Sequence, residues 1–152
     1  MFFVLGLVGR PQGGREFFRI GGLFPVALYQ DLPVFADVYA LTQKIFVVTQ
    51  DYPREYKFTL GSDMKRDALV LLRSIYRINK ARDKVDHLEA FLDDFELLKL
   101  EIRLSADLKI LSLKKQAHLA ELTDKIGRQI TGWRNASLKA RVPAVKAGGR
   151  VQ

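Results

Sequence analysis

Apolar residues recur at three- and four-residue steps between residues 33 and 136. In the segment from Ser62 to Lys84 this spacing would place them on one buried face of a helix. The apolar positions of the segment are Met64, Ala68, Leu71, Leu72, Ile75 and Ile78. Ser62 is a candidate N-cap, because its hydroxyl can accept a hydrogen bond from a free backbone N–H of the first turn. The residues before it, from Pro53 to Gly61, are predicted to form a loop.

The same period predicts three further helices. The first runs from about Pro33, which suits a first helical turn, to Gln50, and the third begins at about Asp86. The fourth follows a candidate cap at Ser112 and ends near residue 136. Their predicted inner positions are Phe35, Val38, Tyr39, Thr42, Ile45, Phe46 and Thr49 in the first, Leu88, Phe91, Leu92, Phe95, Leu98, Ile102 and Ser105 in the third, and Leu119, Leu122, Ile126, Ile130 and Trp133 in the fourth. Four such helices with short connections predict an all-α fold, an antiparallel up-down-up-down four-helix bundle.

Some apolar residues lie off these predicted stripes, and they bear on assembly. They are Val47, Val48, Leu69, Leu97, Leu100 and Leu104. Surplus apolar surface on a small bundle indicates contacts between subunits, although a wide core stripe would explain part of it. We therefore expect a homo-oligomer.

The two ends of the chain have a different composition from the middle. Residues 1–30 contain six glycines among short apolar runs and keep no regular period; they are predicted to be a weakly ordered extension. A flexible arm, a segment that docks on a partner and an extension ahead of the true start are three interpretations of it. The bundle is predicted over residues 31–136. Residues 137–152 have four basic residues and no acidic one and are predicted to be a disordered basic tail.

The charge of the chain indicates what kind of partner it binds. The net charge is +8 and the isoelectric point is about 9.8, which favours a polyanionic partner such as nucleic acid. Residues 52–84 carry nine basic and four acidic residues, while residues 85–111 carry three basic and seven acidic ones. The candidate binding cations are Arg66, Arg73, Arg77, Lys80 and Lys84 in the second predicted helix and Lys114, Lys115, Lys125, Arg128 and Arg134 in the fourth.

Two interpretations of these cations remain open. They can bind phosphates of RNA or DNA without sequence preference, since the sequence indicates no organised aromatic stacking platform beside them. Alternatively, they only solvate exposed helix faces while their stems cover apolar surface.

The sequence offers little for catalysis. It has no cysteine and only two histidines, His87 and His118, and neither has a second histidine three or four residues away. The acidic residues at 93, 94 and 96 do not share one face, and no phosphate-binding glycine motif is present. We expect a non-enzyme without cofactor or metal. The absence of cysteine fits the reducing cytoplasm. The opening apolar run is too short for a membrane span, so no membrane partner is expected beyond a weaker hypothesis of surface anchoring through residues 2–29.

Three stretches together carry a family resemblance. They are Tyr52-Pro53 after the first helix, Phe58-Thr59-Leu60-Gly61 before an arginine-rich helix that ends Ser74-Ile75-Tyr76-Arg77-Ile78-Asn79-Lys80-Ala81, and Ile126-Gly127-Arg128-Gln129-Ile130-Thr131-Gly132-Trp133 near the end of the fourth helix. Over residues 31–136 the chain resembles the accessory variability determinant (Avd) proteins of diversity-generating retroelements and the related proteins of 23S rRNA intervening sequences.

The resemblance implies a bundle protomer that assembles into a pentameric barrel. It also implies a non-catalytic subunit that binds the element's reverse transcriptase together with template RNA and cDNA, and so supports mutagenic reverse transcription. The glycine-rich residues 1–30 do not match the family pattern.

An alternative function comes from the 23S rRNA group. There the chain would be a structural oligomer whose cations bind acidic protein surfaces. The opposite charges of the second and third predicted helices make this hypothesis physically reasonable, because complementary faces steer association and fix its register.

Overall fold

The structure, a computed structural model, describes residues 28–141. Within that range it contains only helices and turns, which confirms the all-α class. The elements are α1 (Pro33–Val48), the short α2 (Arg54–Lys57), α3 (Leu60–Lys80), α4 (Val85–Asp107) and α5 (Leu113–Arg141), with 3-10 turns at Tyr29–Asp31 and Thr49–Asp51. The predictions made for residues 1–27 and 142–152 lie outside the described residues.

The four long helices enclose one apolar core. Helix α1 packs against α3 and α5, and α4 packs against the same two helices. The largest fully buried side chains come from all four: Leu41, Ile45, Met64, Leu71, Ile75, Ile78, Leu88, Phe91, Phe95, Leu98, Leu119 and Ile126. The short α2 contacts α3 and the turn after α1.

The predicted inner faces of α3, α4 and α5 are confirmed, apart from Leu72, Leu92, Leu122 and Trp133, which are only partly buried. For the first predicted helix the inner face is confirmed at Val38, Thr42, Ile45 and Thr49, only partly at Phe35, and is wrong at Tyr39 and Phe46. Tyr39 and Phe46 are exposed, whereas Val34, Leu41 and Val48 are buried. Because α1 packs against α3 on one side and α5 on the other, its buried arc extends further around the helix than the predicted stripe. Val48, predicted to lie off the core, is only 1% exposed.

The start of α3 also differs from the prediction. The helix begins at Leu60, so Ser62 lies inside its first turn, and the Ser62 hydroxyl donates to the carbonyl of Lys57 at 3.4 Å instead of capping the helix. Part of the predicted loop is the helix α2, which Pro53 starts by accepting the backbone N–H of Lys57 at 2.8 Å. A Cβ at Gly61 would lie 3.3 Å from the carbonyl oxygen of Tyr56, so this glycine permits a close approach of the two helices.

Helix α3 ends at Lys80, four residues before its predicted end. Lys84 therefore lies off the helix. Its Nζ donates to the carbonyls of Ile78 and Asn79 at 3.2 Å and of Ala81 at 2.7 Å. These hydrogen bonds satisfy carbonyls that a helix C-terminus leaves free, and the positive charge complements the helix dipole.

Helix α4 ends at Asp107. Lys109 adopts a left-handed conformation with φ of 60°. The backbone N–H of Lys109 donates to Ala106 at 2.9 Å and that of Ile110 donates to Ser105 at 3.1 Å. This pair of hydrogen bonds is a Schellman motif, which stops the helix and turns the chain toward α5.

Helix α5 is longer than predicted and continues through Arg141, so the predicted disordered tail is wrong for residues 137–141. Arg141 binds the carboxylates of two residues near the start of α4, Asp83 and Asp86, the latter at 3.2 Å. These ion pairs connect the last turn of α5 to the start of α4. The connection matters because a helical end is only marginally stable by itself.

Candidate nucleic-acid interface

The exposed side of α3 holds cations that no acidic side chain neutralises. Arg73, Arg77 and Lys80 are exposed, and within residues 28–141 no carboxylate lies within 4.0 Å of any of them. The core stripe from Met64 to Ile78 fixes the rotation of the helix and so holds these three side chains outward. They are available to bind an anion.

Two other predicted cations of this segment are already engaged. Arg66 is exposed but lies 3.1 Å from the carboxylate of Asp63 and 3.2 Å from that of Asp67. The hydrogen bond to Asp67 and the charges of both carboxylates raise the pKa of Arg66. Lys84 caps the C-terminus of α3, as described above. The structure therefore does not bring Lys84 to the surface that carries Arg73.

The predicted cations of α5 mostly pair with acidic residues. Lys115 contacts Asp51 at 2.5 Å, Lys125 contacts Asp37 at 2.7 Å, Arg128 contacts Asp124, and Arg134 contacts Glu89 at 3.3 Å. Lys114 is exposed, and no carboxylate of the described residues lies within 4.0 Å of it. Exposed pairs contribute little to stability, so they can exchange partners. Before any ligand binds, however, α5 presents less unpaired positive charge than α3.

The contact between α1 and α5 is the best-defined of these pairs. Asp37 is buried and accepts hydrogen bonds from Lys125 at 2.7 Å and from Gln129 at 2.5 Å. Burial alone would raise the pKa of Asp37, but these hydrogen bonds and the charge of Lys125 outweigh it and lower the pKa. Likewise the hydrogen bond from Lys115 lowers the pKa of Asp51. Lys125 thus connects α5 to α1, and Lys115 connects the start of α5 to the turn after α1.

Aromatic rings border the free cations, which the sequence analysis missed. Tyr39 and Phe46 on α1 are 49% and 40% exposed, and Tyr76 on α3 is 46% exposed. The Nζ of Lys65 lies 5.8 Å from the centre of the Phe46 ring, and that of Lys80 lies 5.9 Å from the Tyr76 ring. The signal was the separation of seven residues between Tyr39 and Phe46, which places both on one face but does not say whether that face is buried.

A surface groove of about 620 Å³ runs along the contact between α1 and α3. Its lining consists of Phe46, Ser62, Lys65, Arg66, Leu69, Val70 and Arg73. The lining contains three cations and no carboxylate. A groove of this composition suits a ligand that is both anionic and able to offer flat apolar faces.

A second feature absent from the sequence analysis lies between α3 and α4. Glu101 is 9% exposed, and its Oε2 and the Oδ2 of Asp67 are buried without a hydrogen-bond partner. Burial and, secondarily, the charges of Asp67 and Asp63 raise the pKa of Glu101 to about 7, against the opposing effect of Arg66. Glu101 was not distinguishable in sequence from the exposed acidic residues of the same helix.

Among residues 28–141, no group of three or more histidine or carboxylate side chains is placed to hold a metal ion. None of the helices in that range is both long and apolar enough to cross a membrane.

Fold and surface together define a class: a small helical protein with one apolar core and a basic, aromatic-bordered face. Residues 35–137 match the family model described as bAvd-like. This match covers most of the chain, so the chain belongs to the bAvd-like family, and the resemblance to Avd-like proteins found in the sequence is confirmed. No individually curated protein gives a match to the chain.

Proposed function

We propose that this protein is a non-catalytic accessory subunit of a diversity-generating retroelement. In this role it binds the element's reverse transcriptase and the template RNA or cDNA, and it supports mutagenic reverse transcription in the cytoplasm. Membership of the bAvd-like family supports the accessory role. The observation that carries the nucleic-acid part is the free positive charge of Arg73, Arg77 and Lys80 on the outer side of α3.

Phosphate contacts are the interaction that such cations make best. Each guanidinium can donate two parallel hydrogen bonds to one phosphate. The residues recur at steps of four and three along α3, about 6 Å and 4.5 Å apart along the helix axis. Because they lie on a packed helix, little conformational entropy is lost when they bind.

We also propose the up-down-up-down order and the pentamer. Lys115, at the start of α5, contacts Asp51 just after the end of α1, while Lys125 contacts Asp37 near the start of α1. This order of contacts supports opposite directions for the two helices. Exposed Leu97, Leu100 and Leu104 on α4 support assembly, because water-exposed apolar stripes are commonly covered by another subunit.

The test is reconstitution with the reverse transcriptase of the proposed retroelement. We expect the purified protein to bind that enzyme and to increase cDNA synthesis from its template-repeat RNA. The double variant Arg73→Glu, Arg77→Glu should lose the stimulation while keeping its helical circular-dichroism signal, since both residues lie off the core. A double variant Arg103→Glu, Lys109→Glu makes the same change in net charge elsewhere and should retain activity. Equal cDNA synthesis with and without the protein would refute the proposal.

A further inference from the structure

We propose that the face between α1 and α3 binds single-stranded nucleic acid, with bases stacked on its exposed rings and phosphates held by its cations. This face, called the α1–α3 strip, consists of Tyr39, Phe46, Lys65, Arg73, Tyr76 and Lys80. The inference rests on the proposed function and adds the form of the nucleic acid and the manner of its recognition.

Two of the three rings of the strip, Tyr39 and Tyr76, are linked through Phe35 and Tyr29. The Tyr39 ring stacks on Phe35, with ring centres 6.2 Å apart and an angle of 22° between the planes. Tyr29 contacts Phe35 edge to face at 5.2 Å and Tyr76 edge to face at 5.3 Å. Aromatic side chains of both helices therefore occupy fixed positions before any ligand arrives.

The cations of the strip and the Tyr76 ring share one row on α3. On α3, Lys65, Leu69, Arg73, Tyr76 and Lys80 follow one another at steps of four, four, three and four residues, so they form one row on the helix surface. Lys65 lies over the Phe46 ring, and Arg73 lines the same groove. A strand running along this row would meet Lys65 beside the Phe46 ring, then Arg73, and then the Tyr76 ring beside Lys80.

Unpaired nucleic acid fits this pattern better than a duplex does. The bases of a duplex are stacked on one another, so a duplex can offer the strip only its phosphates. A single strand can turn its bases onto exposed rings, and such stacking contributes about 1–3 kcal/mol per base. A strip that bound only phosphate would have no use for three exposed aromatic side chains.

A second copy of the chain, meeting the strip with its acidic helix α4, is the competing occupant. A protein partner with acidic residues would satisfy Lys65 and Arg73 but would leave the ring faces to apolar side chains. Phe46, Lys65 and Arg73 of the strip line one groove whose lining has no carboxylate, and this combination matches a polyanion whose flat bases are part of every repeat unit.

The experiment compares two ligands by fluorescence anisotropy: an oligouridine of roughly 12 nucleotides and an RNA duplex of the same length. We expect the double variant Tyr39→Leu, Phe46→Leu to lose about tenfold or more in affinity for the single strand and less than about twofold for the duplex, because leucine keeps the apolar surface but removes the stacking faces. Phe58→Leu is the matched control. Phe58 is an exposed aromatic residue outside the strip, so this variant should bind both ligands like wild type.

Three results would overturn the inference, and they differ from one another. Equal loss for both ligands would show that the rings do not read unpaired bases. Unchanged affinities together with a lower mass by light scattering would assign the strip to a contact between copies. A wild-type protein that binds neither ligand would refute the proposed function itself. Thermal unfolding followed by circular dichroism checks that each variant is folded.

Discussion

The carboxyl of Glu101 lies between α3 and α4 with one oxygen that has no hydrogen-bond partner. The charged groups that act on it within residues 28–141 all come from α3: Asp67, Asp63 and Arg66. An ionised Glu101 would face two like charges in a buried position, which is unfavourable on both counts. A neutral carboxyl avoids this, and it can donate its proton as a hydrogen bond.

This residue gives the stability a specific dependence on pH. The pKa of Glu101 rises from an ordinary 4.5 to about 7 on folding, so between these values the folded state holds a proton that the unfolded state has lost. The contribution of Glu101 is fully present below pH 4.5 and is lost as pH rises through 7. Glu101→Gln is neutral at every pH. Its free energy of unfolding should therefore lack the decrease of about 3 kcal/mol that wild type shows between pH 4.5 and 8.

Urea unfolding at several pH values measures this difference. Wild type and Glu101→Gln should converge below pH 4.5 and separate progressively between pH 4.5 and 7, with the variant more stable above pH 7. The exposed residue Glu96 on the same helix supplies the control, because Glu96→Gln should follow the wild-type curve. If Glu101→Gln has the same pH dependence as wild type, the carboxyl is ionised in the folded protein at neutral pH.

At the scale of the helix, α3 and the C-terminal residues offer a direct comparison of two sources of positive charge. Arg73 and Arg77 are fixed on a packed helix, whereas the sequence predicts that Lys146 and Arg150 belong to a disordered tail, which would lose conformational entropy on binding. We expect Arg73→Gln, Arg77→Gln to weaken RNA binding by roughly tenfold and deletion of residues 142–152 to weaken it by less than about threefold.

Both changes remove two cations, so the comparison is matched in charge. Filter binding of the template RNA at a single moderate salt concentration is sufficient to rank them. The reverse order, with the deletion abolishing binding and the helix variant unaffected, would move the binding site to the C-terminal residues.

The helices differ in how well their sequences predicted them. The spacing in α3 and α4 identified most of their buried faces because the buried residues keep three- and four-residue steps along the whole helix, although leucines such as Leu69 and Leu100 lie outside these faces. In α1, apolar residues such as Tyr39 and Val48 occur on several sides, so the spacing alone could not decide which side is exposed. The ends of α3 were misplaced because Ser62 is a good cap that the fold does not use, and because Lys84 continues the basic spacing beyond the last helical turn.

The proposed binding surface could be predicted only in part, because sequence spacing does not show how the helices pack against one another. Sequence spacing places Arg73 and Arg77 on one side of a helix, but it cannot show that α5 lysines such as Lys125 pair with acidic residues on α1. Nor can it show that Phe46 of α1 lies beside Lys65 of α3, since that contact depends on how two helices pack. The identity of the cations was visible in the sequence, and their tertiary neighbours were not.

For the whole molecule, the exposed leucines of α4 predict assembly. Leu97, Leu100 and Leu104 lie three and four residues apart on one side of the helix and are all exposed. We expect light scattering at micromolar concentration to give a mass several times the 17.3 kDa of one chain, and Leu100→Asp, Leu104→Asp to lower that mass, because a charge buried in an interface is costly.

Leu113→Asp is the control for this experiment. Leu113 is more exposed than the α4 leucines and begins α5, so its substitution should leave the mass unchanged. A wild-type mass of about 17 kDa would contradict the proposed pentamer, and an unchanged mass in the α4 variant would place the interface elsewhere.

The salt dependence of RNA affinity is the most direct test of whether the free cations on α3 bind nucleic-acid phosphates. Phosphate binding releases counterions, so the logarithm of the association constant should fall linearly with the logarithm of salt concentration, by about 0.7 for each phosphate contacted on a single strand. The variant Arg73→Gln, Arg77→Gln should bind more weakly and reduce this slope by about 1.4. An affinity that does not change with salt, or a slope that is the same in wild type and variant, would contradict the binding of phosphates by these α3 cations.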